Sequence, residues 1–100
     1  MGQRRFPPLT PDEVQAILRA RGFEKKRQDG SHAQWERLPD GRRTRSIVTV
    51  DVSRSEFCED LMKSMIRQSN LTREEFYSAT KRTARKANVG FSETLEVGAQ

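Results

Sequence analysis

One four-residue arrangement occurs three times in this chain, as Thr10-Pro11-Asp12-Glu13, Ser53-Arg54-Ser55-Glu56 and Thr72-Arg73-Glu74-Glu75. In each, a hydroxyl residue precedes a glutamate by three positions, and apolar residues flank the box: Leu9 and Val14, Val52 and Phe57, Leu71 and Phe76. The opening amides of a helix have no intrahelical acceptor. A capping hydroxyl satisfies one of them, the glutamate returns a bond to the cap, and the flanking apolar pair sets the entry angle. The pattern predicts three helix starts, and any sheet must lie between the first two.

The first helix carries Val14, Ile17 and Leu18 on one face and stops at Gly22. A strand from Phe23 to Gln28 then leads into Asp29-Gly30, a tight-turn dipeptide, and a second strand runs from His32 to Leu38. Pro39-Asp40-Gly41 turns the chain into a third strand, Arg43 to Val52, with Val48, Val50 and Val52 on one side. The second capping box predicts a helix from Ser53 in which Phe57, Leu61 and Met65, beside Cys58, Met62 and Ile66, form a broad core stripe. Cys58 is thus expected to be a buried thiol. The third box starts a short helix at Thr72 that either ends early or continues toward Lys86. Beyond Thr80 the apolar periodicity fades, leaving a basic patch of Lys81, Arg82, Arg85 and Lys86 and a tail with Val89, Phe91, Leu95 and Val97 for packing.

A chain of 100 residues builds one modest core and favours an open surface site over a deep pocket. Its formal charge of +5 suits a polyanion, RNA or DNA, or an acidic protein. One cysteine excludes an intrachain disulfide and offers no zinc framework, so a reducing cytoplasm is the expected setting and no metal or cofactor is expected. The basic opening residues run into Phe6-Pro7-Pro8 instead of an apolar signal core, and no stretch approaches membrane-spanning length, so no membrane role is expected.

His32, in Gly30-Ser31-His32, is the only imidazole and the one obvious group for proton transfer near neutral pH. Two readings stand: catalysis, or the capping of backbone groups after a turn. Strand alternation puts His32, Gln34 and Glu36 on one face and Ala33, Trp35 and Arg37 on the other. Trp35 draws the helices to its own side and leaves His32 toward solvent. Ser31 stabilises the turn or touches phosphate, Gly30 serves an unusual turn conformation, and Trp35 supports the core or stacks a base. Lys25, Lys26, Arg27 and Arg37 are candidates to hold phosphate, against the reading of Lys25-Lys26-Arg27 as a solvated edge. Asp51 and Glu36 either orient His32 from nearby strands or belong to surface ion pairs.

From Thr10 to Phe76 the chain resembles the HicA (YcfA-like) toxins, small ribonucleases of toxin-antitoxin pairs. The resemblance rests on the ordered pieces Arg21-Gly22-Phe23, Arg27-Gln28-Asp29-Gly30-Ser31-His32, Trp35 through Arg43, and Met65 through Phe76. It implies an α+β fold of the double-stranded RNA-binding type, α-β-β-β-α, whose three-stranded antiparallel sheet packs on the helices, over residues 9–78. Residues 79–100 then form a basic extension, helical or disordered. The resemblance further implies messenger-RNA cleavage dependent on His32, and a HicB-like antitoxin that covers this surface and through which any oligomer would form. The pattern departs where the family carries a Val-Pro-Val-His-like strand end: here Val48-Thr49-Val50-Asp51 stands, with no second histidine. A noncatalytic RNA-binding domain and a protein-interaction module remain the alternatives.

Overall fold

The computed structural model describes residues 5–41 and 43–95. Val97, named above for packing, and Arg42, within the stretch that carries the resemblance, lie outside the described residues. The elements run α1 (Pro11–Ala20), β1 (Glu24–Asp29), β2 (His32–Arg37), β3 (Ser46–Asp51), α2 (Glu59–Ser69), α3 (Arg73–Tyr77) and α4 (Lys81–Ala87). The strands form one antiparallel sheet in the order β1-β2-β3. The α-β-β-β-α core is therefore the expected one, extended by two short C-terminal helices.

The first capping box forms as read. The Glu13 amide donates to Thr10 Oγ1 at 3.2 Å, and the Thr10 amide donates to Glu13 Oε1 at 2.9 Å. At the other end Gly22, with φ +92°, takes the left-handed conformation, and the Phe23 and Gly22 amides close onto the Leu18 and Arg19 carbonyls at 2.9 and 3.2 Å. Such a glycine-terminated closure satisfies carbonyls that the helix leaves open and turns the chain sharply into a strand. Val14, Ile17 and Leu18 join Ala33, Trp35, Val48 and Val50 from the sheet and Met62, Met65 and Ile66 from α2 in one buried cluster. Fully burying such a side chain contributes about 1.5–3 kcal/mol. Truncating Ile17 to alanine would cost about 2–5 kcal/mol, because a cavity adds to the lost transfer energy.

The second box does not form. The Ser53 amide and hydroxyl both donate to Asp51 Oδ1, at 3.0 and 2.7 Å, so the hydroxyl folds back on β3 and caps no helix. The Phe57 amide donates to the Leu9 carbonyl at 2.9 Å in a lone antiparallel bridge. A backbone pairing with a residue far away in sequence, together with burial of Phe57 to 2% exposure, outcompetes one local cap. α2 begins only at Glu59, with Cys58 at its N-cap making no side-chain hydrogen bond. Cys58 is exposed, correcting the expected buried thiol. Helical spacing would have put it with Met62, but extended backbone alternates sides, and Phe57 takes the inward position.

The third box forms between Thr72 and Glu75, with bonds of 3.0 and 2.9 Å. Its helix ends at Tyr77 and does not run on to Lys86; Thr80 caps a new one, accepting from the Thr83 amide at 3.1 Å. α4 buries Thr83, Ala84 and Ala87, residues too small to register as an apolar stripe. It is tied to α1 by Lys86 Nζ, 2.8 Å from Glu13 Oε2, with Arg82 at 3.8 Å. Burial pushes the Glu13 carboxyl up, but hydrogen bonds from Lys86 and the Thr10 amide and the charges of Lys86 and Arg82 outweigh it. Glu13 therefore sits below its ordinary value. The chain beyond α4 also returns to the body, where the Ser92 amide donates to the Ser78 carbonyl at 2.9 Å.

Candidate functional site

The turn that presents the histidine is the two-residue loop Gly30-Ser31 joining β1 to β2. Gly30 has φ +60°, and nothing lies within 4 Å of where a Cβ would sit, so the backbone conformation and not crowding calls for glycine. Glycine at the first central position suits a tight hairpin whose twist matches its strands. His32 opens β2 and is exposed, while Ala33 and Trp35 are buried on the helix side. Trp35 is 1% exposed, donates from its indole nitrogen to Gln15 Oε1 at 3.2 Å and lies 5.1 Å beneath the Arg19 guanidinium. It is a core residue and not a free stacking platform.

Register decides what surrounds His32. Across one ladder it pairs with Asp29 of β1, and across the other with Asp51 of β3. Opposed residues in antiparallel strands share a face, so two carboxylates flank the imidazole on the open side of the sheet. Asp29 is turned to Arg27, whose Nη2 lies 2.6 Å from Asp29 Oδ2. Asp51 is held by the Ser53 hydroxyl and amide, with the Ser31 hydroxyl and the charge of His32 adding to them; together these keep its carboxyl below the ordinary 3.8. Arg54 Nε stands 3.6 Å from Asp51 Oδ2.

From His32 and Asp51 a cleft of about 230 Å³ runs between the sheet and α2. Phe57, Leu61 and Met65 give it an apolar floor, and Thr49, Ser64, Gln68 and Arg54 supply polar groups. The Thr49 amide donates to Gln68 Oε1 at 3.2 Å, which ties α2 to the edge of β3. A solvent-reachable imidazole beside a fixed carboxylate is equipped to accept or donate a proton. A half-exposed guanidinium next to it is equipped to meet an anion.

The structure brings together only some of the residues singled out from the sequence. Ser31 lies in the turn beside His32, its carbonyl accepting from the Val52 amide at 2.8 Å, and Arg27, cross-strand from Gln34, shares the face of His32. Lys25 pairs with Trp35 and so belongs to the opposite face, and Lys26 occupies a bulge toward the far end of β1, paired with Glu24 at 3.1 Å. Arg37 lies at the other end of β2 on the Trp35 side. It is committed to the fold, donating to the Arg21 carbonyl at 3.0 Å and to Asp40 Oδ2 at 2.6 Å. Glu36 pairs with Arg45 and not with the imidazole. Arg54 and Gln68 escaped notice because their approach to His32 depends on the failed second cap and on how α2 lies along β3. Asp51 was within reach, since alternation from Val48 and Val50 already puts it on the histidine face. Among the described residues no three His, Cys, Asp or Glu side chains converge as a metal site would need, and no helix is long and apolar enough to cross a membrane.

No curated protein sequence matches the chain. Residues 11–71 match the family model described as the HicA toxin of bacterial toxin-antitoxin. That span runs from the first residue of α1 through the whole of α2 and takes in the Gly30-Ser31 turn, His32, Asp51 and the wall of the cleft. The chain belongs to the HicA toxin family.

Proposed function

We propose that this protein is the toxin of a toxin-antitoxin pair and acts as a metal-independent endoribonuclease on single-stranded or messenger RNA, with His32 as its acid-base group. The observation that carries the reading is that the one imidazole in the chain is exposed on the open sheet face beside a carboxylate already fixed by other donors. RNA supplies its own nucleophile. Removal of the 2′-hydroxyl proton lets that oxygen attack the adjacent phosphorus, and the 5′-oxygen departs with a proton, leaving a 2′,3′-cyclic phosphate and a 5′-hydroxyl. His32 serves one or both proton transfers, Asp51 holds its orientation, and Arg54, with Arg27 nearby, meets the phosphate charge. One such proton-transfer group is worth about two to four decades in rate, so slow turnover is expected. A HicB-like antitoxin that covers this open face would silence it, in the cytoplasm.

The test is electrophoresis of labelled single-stranded RNA incubated with purified protein in EDTA, beside His32→Ala and a DNA of the same sequence. Discrete fragments from the native protein alone, with DNA intact, are the expected result. Intact RNA with a folded, RNA-binding native protein would overturn the nuclease reading. It would favour a noncatalytic RNA-binding module, the second reading, toward which the Asp51 in place of a second family histidine points.

A further inference from the structure

We infer that the cleft between β3 and α2 is a nucleobase subsite that sets which nucleotide of single-stranded RNA lies beside the cut. The inference rests on the nuclease reading for its consequence and on the geometry of the cleft for its ligand class. At about 230 Å³ the cleft is smaller than a site for a drug-sized ligand and suits one flat group. Its floor is apolar: Phe57 and Met65 are 2% and 5% exposed, and Leu61 is partly buried. A base pressed against such a floor covers one face while its edge remains to be satisfied.

The edge partners are in place and one has a defined sense. Gln68 Oε1 already accepts from the Thr49 amide, which leaves its Nε2 hydrogens as donors toward a ligand. The Ser64 hydroxyl, on the same wall, donates or accepts as needed. The arrangement selects a base that turns a carbonyl or ring-nitrogen acceptor toward Gln68. Arg54 and His32 line the same cleft, so a nucleotide whose base enters it has its phosphate within reach of both. Among the described residues Asp51 is the one acid lining the cleft, and its carboxylate is engaged by Arg54 at 3.6 Å and the Ser53 hydroxyl at 2.7 Å. An RNA with free, unstacked bases fits this demand, and a duplex with its bases paired does not.

Two substitutions test the subsite without touching His32, Asp51 or Arg54. Gln68→Glu keeps an oxygen to accept the Thr49 amide but replaces the donor with an anion, and Ser64→Leu fills the cleft. A randomised single-stranded RNA pool is cleaved by each protein, and the fragment ends are sequenced. The native protein should prefer particular bases at one position next to the cut. Each variant should change that preference about tenfold at that position, the discrimination expected of a lost hydrogen-bonded base contact. Unchanged base preference with a uniform change in rate would overturn the inference. A second measurement does not need cleavage: titration of the native protein with a single-stranded DNA tetranucleotide, which lacks the attacking hydroxyl, followed by the NMR signals of the Met65 methyl and the Gln68 side-chain amide. Shifts at both that vanish in Ser64→Leu support the subsite even where the nuclease reading fails. Silence at both overturns it even where RNA is cut.

Discussion

Along β1, Lys26 pairs with Glu24 at 3.1 Å, Arg27 with Asp29 at 2.6 Å and Lys25 with Gln28 at 3.2 Å, every residue of the strand being exposed. Along β3 the one charged residue, Asp51, is held by Ser53 and Arg54, and the strand edge is tied down by Gln68 of α2. The edge richest in cations is thus the less organised one. Exposed pairs between neighbours on one strand are worth about 0–1 kcal/mol and rearrange freely toward a phosphate. They also blunt an open sheet edge against pairing with another chain, a task shared by the bulge at Lys26. The β3 side has the features that chemistry needs, fixed dipoles and charges around one titratable group. Counting cations finds the edge suited to attract a polyanion, and counting constraints finds the edge equipped for chemistry.

The sharpest way to break this contrast is to remove the group on which it centres. His32→Ala should lower RNA cleavage by about 10²- to 10⁴-fold while leaving RNA affinity within about twofold, read from initial rates and filter binding. Equal losses of rate and affinity would make His32 a contact and not a catalyst. Next in size is Arg54→Ala, which should cost about tenfold in cleavage through loss of one charge-assisted phosphate contact. No change in rate would move the phosphate site toward Arg27 and narrow the difference between the edges.

On the other edge, replacing Lys25, Lys26 and Arg27 together by glutamine should weaken RNA binding a few-fold for all sequences alike. The slope of log affinity against log salt should become shallower by about 2, the release of counterions from three single-strand phosphate contacts. A sequence-dependent loss would show that β1 reads bases. The smallest effect concerns Ser53→Ala. A helix-capping serine costs about 1 kcal/mol when removed, and Ser53, which caps nothing, should cost clearly less in a urea titration. The Asp51 carboxyl is lowered in the folded state. Its contribution to stability is therefore fully present above its ordinary value of 3.8 and is lost as the pH falls through the folded value. The difference between native protein and Ser53→Ala should accordingly shrink toward acid pH. A difference that persists there would assign Ser53 some other role.

Much of this is legible in the sequence. The caps at Thr10 and Thr72, the stop at Gly22, the three strands and the outward aspect of His32 all follow from interactions within a few residues, or from alternation along one strand. Ser53-Arg54-Ser55-Glu56 has the same local credentials as the other two boxes and does not form. What defeats it is the bridge from Phe57 to Leu9, 48 positions away along the chain by the difference of their numbers. That failure matters for the site, because the segment freed from helix carries Arg54 to the cleft. The docking of α4 was equally hidden, since Thr83, Ala84 and Ala87 make a close-packed face without bulk and Glu13 gives no sign in sequence of awaiting Lys86.

The sequence by itself determined the α-β-β-β-α order, the buried face of the sheet and the exposure of the single histidine, because helix capping, glycine conformation and strand alternation act between near neighbours. The tertiary structure alone decided that Asp51 and not Glu36 accompanies His32, that Arg37 serves the fold, and that a cleft with a donor-bearing glutamine opens beside the imidazole. Those outcomes depend on strand register and on where α2 lies along β3, both set by burial of the whole core at once and so invisible to any short stretch of chain.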